Sequence, residues 1–377
     1  MGVIILLVVA VWATDTWEQV QQRIVGLTNE KHAVESRMSS IARELSDIKS
    51  QDQYVINKNL SADIQQIEAT YSQTVSVYEQ LLKLKEATNK TKPFDDGFAD
   101  ILALLSKRNY ASASSSLRTL KSAMDAESAR LASTFVIPAT VPVNNVAPGS
   151  GYSRQSVAAN GEQHLVDLIA GDLSTTKVIV DTASDGDCKS DCPVLSLGDY
   201  VSRSGGFAGI NGSYFCPSTY PSCQDKKNSF DTLLMNKKKT YFNSENNKYS
   251  TVPAVIFQGG SVRFVGRSLD WGRDTGIDSM IANQPMLVSG GNSVFGGDAD
   301  PKKGSKGPRG FVANKGNTVY IGFVHNATVA EAALVLKALG MENGLNLDSG
   351  GSSALWFNGY KVGPGRAIPN AIIFVRK

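Results

Sequence analysis

The chain has 377 residues and a formal net charge of +3; 42% of its residues are apolar and 19% are charged. This length exceeds one ordinary domain and suits two, and the composition excludes a disordered chain. The nearly balanced charge disfavours a protein that binds nucleic acid through a basic surface. Glycine is unevenly spread, because 31 of 34 glycines follow residue 134. Helices tolerate few glycines and turn-rich sheets need many, so the sequence predicts a helical part followed by a sheet-rich part.

The chain starts with an unbroken apolar run at residues 2–13, which ends in Val11-Trp12-Ala13. A transmembrane helix needs about 20 such residues, whereas a run of this length with a small residue at its end is typical of a secretory signal peptide. No Lys or Arg precedes the run, although signal peptides usually have one. We expect residues 1–13 to be a signal peptide, with a membrane anchor as the alternative. The protein is therefore expected to be secreted or held at the cell surface.

A heptad pattern of apolar residues follows the apolar run. Apolar residues recur at intervals of three and four from Trp17 to Ile48, interrupted only by Lys31, and again from Leu60 to Leu81. This spacing predicts long helices that form a coiled coil over residues 14–92. Two helices or one interrupted helix fit the pattern, as do antiparallel self-folding and parallel dimerisation. A stalk that self-associates or binds a protein partner is the expected role, and a bundle that caps the second part is the alternative.

Two further segments separate the coil from the sheet-rich part. Residues 93–134 are predicted to form a helical hairpin that turns near Asn109-Tyr110. Residues 135–160 contain three Pro and two Gly, which is the composition of an interdomain linker.

Four cysteines lie within 36 residues of the sheet-rich part: Cys188, Cys192, Cys216 and Cys223. An even number in an exported chain predicts two disulfides. Three pairings are possible, and we favour the local one, 188 with 192 and 216 with 223. The spacing does not match the Cys-x2-Cys pairs of structural zinc sites, so no metal site is predicted from these residues.

Short β-rich runs alternate with turns over residues 161–377. The predicted strands are His164–Ile169, Lys177–Asp181, Ala254–Phe257, Val262–Val265, Met286–Ser289, Thr318–Val324, Ala354–Phe357 and Ala371–Val375. One helix is predicted among them, with Thr328 and Glu331 as a capping box and Gly340 as its stop signal. The pattern predicts an α+β domain built on a mixed sheet.

The strongest chemical signal is the segment Leu347-Asp-Ser-Gly-Gly-Ser-Ser353. A carboxylate at a strand end is followed by glycines, which let backbone N–H groups approach a ligand, and by hydroxyls, which donate hydrogen bonds. The chain has only three His and no Ser-His-Asp or His-Glu-x-x-His pattern. Proton transfers would therefore fall to carboxylates, as in glycoside hydrolases. An ordinary strand–turn–strand connection is the alternative interpretation.

Three weaker motifs accompany this segment. Asn211-Gly-Ser-Tyr-Phe215 places an amide between small residues at a strand end, or is an ordinary hairpin turn, since Asn-Gly is typical of such turns. Gly307-Pro-Arg-Gly310 and Gly365-Arg-Ala-Ile-Pro-Asn370 each place an Arg near Pro and Gly. Such an Arg makes forked contacts to phosphate or carboxylate, or is an ordinary surface charge in a turn.

Taken in this order, the four motifs resemble those of the phosphodiester glycosidase family. The resemblance covers a little over half of the chain and none of the predicted coil. It departs from the family pattern at Gly310, where the family has Thr, at Ser349, where it has Gly, and at Gly365, where it has an acidic residue. The resemblance implies a phosphodiester glycosidase-like α+β domain over residues 161–377. It implies catalytic roles for Asp348, Asn211 and Arg309, and substrate binding by Arg366, Ser352, Gly350, Gly351 and Asn370.

The implied reaction breaks the bond between a sugar's anomeric carbon and a phosphate oxygen. Phosphate leaves readily, so neutralising it and stabilising an oxocarbenium-like centre matter more than general-acid help. Arg309 and Arg366 would hold the phosphodiester, and Asp348 would act as nucleophile or base. Asn211 would position a sugar hydroxyl or a phosphate oxygen, and Ser352 would add a hydrogen-bond donor. A second carboxylate has no motif of its own; Asp270 and Asp278 are the candidates.

The expected function is therefore that of an exported glycosidase. Its substrate would be a sugar-1-phosphodiester or a related glycosidic bond in a cell-envelope or exopolysaccharide glycan. The alternatives are a non-catalytic cell-wall or glycan-binding module on a coiled-coil stalk, a structural surface protein, and a phosphatase. No cofactor and no nucleic-acid partner are expected. The acidic stretches 181–187 and 298–300 leave a divalent cation such as calcium open.

Overall fold

The computed structural model describes the backbone of residues 2–377 and the side chains from Thr16 onward, except that of Asp52. The predicted signal peptide or anchor, residues 1–13, lies outside the residues whose side chains are described. Within the described residues, no helix is both long enough and apolar enough to cross a membrane. The chain forms two compact units; the first ends at Ser72 and the second is Gln73–Lys377.

The helices of the chain follow the predicted order, with the long ones first. They are α1 (Gly2–Ser50), α2 (Asp52–Ala87), α3 (Lys92–Ser106), α4 (Tyr110–Ser133), α5 (Leu197–Arg203), α6 (Pro301–Gly304) and α7 (Val329–Ala338). The coil register is lost near residue 51, which is where α1 ends and α2 begins. The heptad residues from Trp17 to Ile48 are 49–66% exposed. The coiled coil itself stays a prediction.

The end of α2 packs with α3 and α4 around a separate apolar core in the second unit. Helix α3 has Pro93 in its first turn, where a missing N–H is harmless. Helix α4 begins at the predicted turn, because the Asn109 side chain accepts a hydrogen bond from the Ser112 N–H at 3.2 Å. The fully or nearly buried members of this core are Val77, Leu81, Leu84, Phe98, Ile101, Leu105, Ala113, Leu117, Leu120 and Met124.

The remaining chain is rich in strands, as its glycine content predicts. The strands are β1 (Gly151–Ala159), β2 (Glu162–Asp172), β3 (Thr176–Thr182), β4 (Gly206–Asn211), β5 (Leu234–Met235), β6 (Tyr241–Phe242), β7 (Ala254–Gln258), β8 (Ser261–Val265), β9 (Ser279–Ala282), β10 (Met286–Ser289), β11 (Asn292–Ser293), β12 (Gly307–Lys315), β13 (Thr318–Ala327), β14 (Asn343–Asn346), β15 (Leu355–Phe357), β16 (Tyr360–Val362) and β17 (Asn370–Arg376). They form three sheets, with the orders β1-β2-β13-β12-β14-β10-β11, β16-β15-β4-β17-β3 and β6-β5-β9-β7-β8.

The α+β class is confirmed, but the strands named here pair antiparallel where we expected a mixed sheet. The crossover through α7 explains the difference. It carries the chain from β13 to β14, yet β14 pairs with β12, so the two strands that run in the same direction are not neighbours.

The first strand lies inside the segment that we interpreted as a linker, residues 135–160. Strand β1 pairs with β2 in continuous register from Gly151 to Ala159. It is an edge strand whose first four residues are not buried, so its polar composition resembles that of a linker. The sheet therefore begins about ten residues earlier than the composition suggested.

Two apolar cores lie on the two faces of the seven-stranded sheet. One includes side chains of the second and third sheets as well, and the other is covered by α7. The predicted capping box of α7 is confirmed: the Thr328 hydroxyl accepts from the Glu331 N–H at 3.1 Å, and the Glu331 carboxylate accepts from the Thr328 N–H at 2.7 Å. Both predicted local disulfides are also confirmed, Cys188–Cys192 and Cys216–Cys223.

Candidate active site

Hydrogen bonds between main-chain atoms bring the four sequence motifs together at one end of the sheets. The Asp348 N–H donates to the Gly212 carbonyl at 3.0 Å, which joins the first and third motifs. The Leu347 N–H donates to the Gly310 carbonyl at 2.8 Å, which joins the second and third motifs. The Arg366 N–H donates to the Gly351 carbonyl at 2.7 Å, which adds the fourth. Segments up to 155 residues apart thus converge around Asp348.

The carboxyl group of Asp348 is the chemical centre of this region. The residue follows β14 and keeps some access to solvent, but its carboxyl group is surrounded by protein atoms. Removal from water raises the pKa of Asp348 to about 7, and hydrogen bonds from Ser352 and Ser349 and the charge of Lys302 act in the opposite direction. A carboxyl group that titrates near neutral pH can act as a base or nucleophile at the pH where most enzymes work.

Asn211 is fully buried, and both polar atoms of its amide form hydrogen bonds within the chain. The Nδ2 group donates to the Asp348 carbonyl at 2.7 Å, and Oδ1 accepts from the Ala354 N–H at 3.1 Å. We expected this amide to position a sugar hydroxyl or a phosphate oxygen. The geometry instead makes it a support for the Asp348 loop.

Asn370 supports the neighbouring turn, which follows Asn211. Its Oδ1 accepts from the Ser213 N–H at 2.9 Å, and its Nδ2 donates to the Ser213 hydroxyl at 3.1 Å. A Cβ atom on Gly212 would lie 1.9 Å from Asn370 Oδ1, which explains why glycine stands there. The resemblance implied that Asn370 binds substrate, but its side chain is buried and holds a turn.

Arg309 is only 8% exposed, and main-chain carbonyls surround its guanidinium. Its Nε donates to the Ala327 carbonyl at 2.9 Å and its Nη2 to the Lys302 carbonyl at 3.0 Å, and Nη2 also contacts the Ser305 carbonyl. Burial lowers the pKa of Arg309. Among the described residues, Arg309 forms no ion pair with a carboxylate. The side chain that we expected to clasp the phosphodiester therefore ties the loop of α6 to the end of β13.

Arg366 meets a residue that the motifs did not indicate. Its Nη2 contacts the carboxylate of Glu86 from helix α2, and its guanidinium lies 5.4 Å from the Tyr220 ring centre. Among the described residues, its Nη1 is buried without a hydrogen-bond partner. The Glu86 carboxylate also lies against Gly350 and Gly351, where a Cβ atom on Gly351 would collide with it. No sequence signal pointed to Glu86, because it lies in the helical part and outside every motif.

Two departures from the family pattern lie next to each other. The Gly310 N–H donates to the Ser349 hydroxyl at 3.1 Å. A Cβ atom at residue 310 would lie 3.0 Å from the Asp348 carbonyl oxygen and 3.1 Å from the Phe323 ring, so a larger residue is disfavoured here. The hydroxyl of Ser349 thus stands beside the position where the family carries its Thr.

Tyr214 is a further polar side chain at the site, within the Asn211 motif. Its hydroxyl accepts a hydrogen bond from Asn346 at 2.5 Å. Burial raises the pKa of Tyr214, and the negative charge of Asp348 raises it further. Tyr214 therefore stays protonated and close to the carboxyl group.

The other acidic candidates are engaged in ion pairs elsewhere. Asp270 pairs with Arg267 at 2.9 Å, and Asp278 pairs with Lys177 at 2.8 Å. In the acidic stretches, Asp181 pairs with Arg203 and Lys237, Asp185 pairs with Lys238, and Asp298 and Asp300 pair with Lys303. Among the residues that the structure describes, no group of three or more His, Cys, Asp or Glu is placed to hold a metal ion.

The site thus combines a carboxyl group that is removed from water with the glycines and hydroxyls that follow it, in a domain of the α+β class. Residues 204–375 match the family model described as phosphodiester glycosidase, as the four motifs predicted. The comparison with curated proteins gave no sequence match.

Several solved structures are similar to the chain at low sequence identity. One is a hypothetical protein from Synechocystis, with 13% identity and a TM-score of 0.41; the match covers 60% of this chain and 62% of that one. Another is the catalytic domain of zebrafish N-acetylglucosamine-1-phosphodiester alpha-N-acetylglucosaminidase, auto-inhibited by its pro-peptide, with 14% identity, a TM-score of 0.47, and coverage of 63% and 87%. A third is a putative exported protein from Burkholderia pseudomallei, with 11% identity, a TM-score of 0.38, and coverage of 56% and 74%.

Proposed function

We propose that the protein hydrolyses the bond between the anomeric carbon of a sugar and a phosphodiester oxygen. The observation that carries this proposal is the position of Asp348. Its carboxyl group has a pKa of about 7 and lies where all four motifs of the domain meet. The match of residues 204–375 to the phosphodiester glycosidases supports the choice of bond.

In this mechanism Asp348 acts in its ionised form, as the nucleophile at the anomeric carbon or as the base that activates water. By either route the bond from carbon to the phosphate oxygen breaks, and its electron pair leaves with the phosphate. Water supplies the hydroxyl that ends on the sugar. Ser352 donates a hydrogen bond to the Asp348 carboxylate and steadies its ionised form.

The remaining predicted site residues hold this arrangement in place. Asn211 fixes the Asp348 loop, Asn370 fixes the turn at Ser213, and Arg309 fixes the loop of α6. Gly350 and Gly351 have no side chain, which lets the Glu86 carboxylate and the Arg366 guanidinium approach this loop. Support of this kind keeps a reacting group within the narrow geometry that catalysis requires.

The proposed setting is outside the cytosol. The two disulfides suggest an oxidising, extracellular compartment. A secreted or surface-held enzyme would find its substrate in a cell-envelope or exopolysaccharide glycan. The predicted coil would serve as a stalk that self-associates or binds a protein partner.

A non-catalytic glycan-binding module is the second candidate. The contact between Glu86 and Arg366 favours it, because the chain's own carboxylate occupies an arginine that a substrate phosphate would otherwise reach. Such a module would bind a saccharide and leave it intact.

The test is an assay of the full chain on a panel of sugar-1-phosphodiesters, with release of free sugar as the readout. Asp348→Asn should lower the rate by about a thousandfold or more, as loss of a central catalytic group does. Asp270→Asn, which changes a carboxylate in an ion pair with Arg267, should leave it unchanged. Turnover of Asp348→Asn at the wild-type rate would rule out this mechanism. A saccharide that binds but is not hydrolysed would favour the second candidate.

A further inference from the structure

Helix α2 reaches the candidate site with one face of its last turns. The Glu79 carboxylate accepts from the Ser222 N–H at 2.9 Å, and Lys83 Nζ donates to the Ser305 hydroxyl at 3.1 Å. Glu86, one turn further on, contacts Arg366. Residues spaced by four and three lie on the same side of a helix, so this face borders the site.

Lys83 lies within a group of cations at this border, because its Nζ donates to the hydroxyl of Ser305 and Arg309 Nη2 contacts the carbonyl of the same residue. Burial lowers the pKa of Lys83, and the positive charges of Arg309 and Lys302 lower it further, whereas Asp300 raises it. Within the described part of the chain, none of these three cations forms an ion pair with a carboxylate. Placing like charges together in a partly buried region is unfavourable unless an anion joins them.

The neighbouring charges show where such an anion would bind. Glu86 already pairs with Arg366. In the part of the chain that the structure describes, Lys83 and Arg309 have only the more distant carboxylates of Asp300 and, for Arg309, Glu331 to offset their charge. Gly310, the residue after Arg309, accepts from the Leu347 N–H at 2.8 Å and donates to the Ser349 hydroxyl at 3.1 Å, so this side is next to the Asp348 loop. Ammonium groups hold phosphate oxygens well, because a phosphate accepts several charge-assisted hydrogen bonds.

We propose that Lys83 is an anion-binding residue of the active site, which helix α2 supplies to hold the phosphate of the substrate together with Lys302. That the bound phosphate belongs to a substrate rests on the proposed function, but the binding of a phosphate anion does not. The helical segment from Gln73 to Ser133 is then part of the site. It packs in the same compact unit as the sheets, which begins at Gln73.

The experiment is a calorimetric titration of the full chain with inorganic phosphate. Lys83→Met should weaken binding about tenfold, which corresponds to about 1.4 kcal/mol. Lys83→Arg, which keeps the charge, should retain most of the affinity. Lys85→Met is the matched control: Lys85 lies on the same helix but pairs with Asp95 at 2.6 Å, and its loss should not change binding. Thermal unfolding of each variant verifies that the fold is intact, and Lys83→Gln replaces Lys83→Met if that variant unfolds.

The outcomes separate this inference from the proposed function. Equal phosphate affinity in wild type and Lys83→Met would overturn the inference, as would tighter binding in the variant or no binding in the wild type. Phosphate binding that depends on Lys83, without hydrolysis of any sugar phosphodiester, would sustain the inference and defeat the proposed function. Hydrolysis of a sugar phosphodiester, with a phosphate affinity that does not depend on Lys83, would sustain the proposed function and overturn the inference.

Discussion

The amide of Asn211 holds Asp348 through the main chain: its Nδ2 group donates to the Asp348 carbonyl at 2.7 Å. The same amide accepts from the N–H of Ala354, at the far end of the loop that follows β14. Asn211 ends strand β4 in the five-stranded sheet β16-β15-β4-β17-β3, while Asp348 follows β14 in the seven-stranded sheet. One side chain therefore joins two sheets at the candidate site.

Asn211→Ala should destabilise the domain and slow catalysis. It leaves the Ala354 N–H and the Asp348 carbonyl without their partner in a buried place, which costs about 1–3 kcal/mol. Denaturant unfolding and turnover measure the two effects. Asn145→Ala is the control, since the Asn145 amide also makes two hydrogen bonds to one main-chain residue, Ala158, but is exposed. Equal losses in the two variants would contradict a special role for Asn211.

The reaction rate should depend on the ionisation of Asp348. Its pKa is about 7, and the nucleophile or base must be ionised. We expect kcat/KM to fall tenfold for each pH unit below 7 and to level off above it. A pH–rate profile of the full chain on its best substrate measures this. A profile that stays flat down to pH 5 would show that Asp348 is not the titrating group.

The stability of the folded chain should change with pH through the same group. The pKa of Asp348 is about 7 in the folded chain, whereas an unfolded Asp has a pKa of about 4. The contribution of this group to stability is thus complete below pH 4 and is lost as pH rises to 7. The free energy of unfolding of Asp348→Asn, relative to that of wild type, should therefore rise by about 1–4 kcal/mol from pH 4 to pH 8. A difference in unfolding free energy that does not vary with pH would be inconsistent with a raised pKa.

Glu86→Gln should lower stability through Arg366. The two side chains are 27% and 21% exposed, so the loss should be about 1–2 kcal/mol, less than that of a fully buried pair. Glu245→Gln breaks an exposed pair with Lys248 and should change stability by less than about 0.5 kcal/mol. Chemical unfolding of the second unit measures both. Equal stability of the two variants would mean that the contact between α2 and the site contributes nothing.

Local signals predicted much of the fold. The capping box of Thr328 and Glu331 depends on two residues three apart, and the paired cysteines are four and seven residues apart, so the sequence itself contains the signal. Strand β1 was missed because an edge strand keeps polar residues, and its Ser, Arg and Gln resemble a linker. The start of strand β12 resembles a turn in sequence, because Gly and Pro surround Arg309 there.

The candidate site was predictable as a set of motifs but not as a set of roles. The motifs identified Asp348 and Asn211 as candidate site residues. They do not show which polar atoms already form hydrogen bonds within the chain. Glu86 and Lys83 come from the helical part, 280 and 222 residues from their partners Arg366 and Ser305. Contacts at that separation depend on how helices pack on sheets, and no motif records them.

The central claim is that the chain breaks a bond at an anomeric carbon. The most direct measurement is hydrolysis of a sugar-1-phosphodiester in water labelled with oxygen-18, followed by mass spectrometry of both products. Attack at the anomeric carbon, with Asp348 as nucleophile or base, places the label on the released sugar and leaves the phosphate unlabelled. Label in the phosphate would show cleavage between phosphorus and oxygen, as in a phosphodiesterase, and would contradict the account.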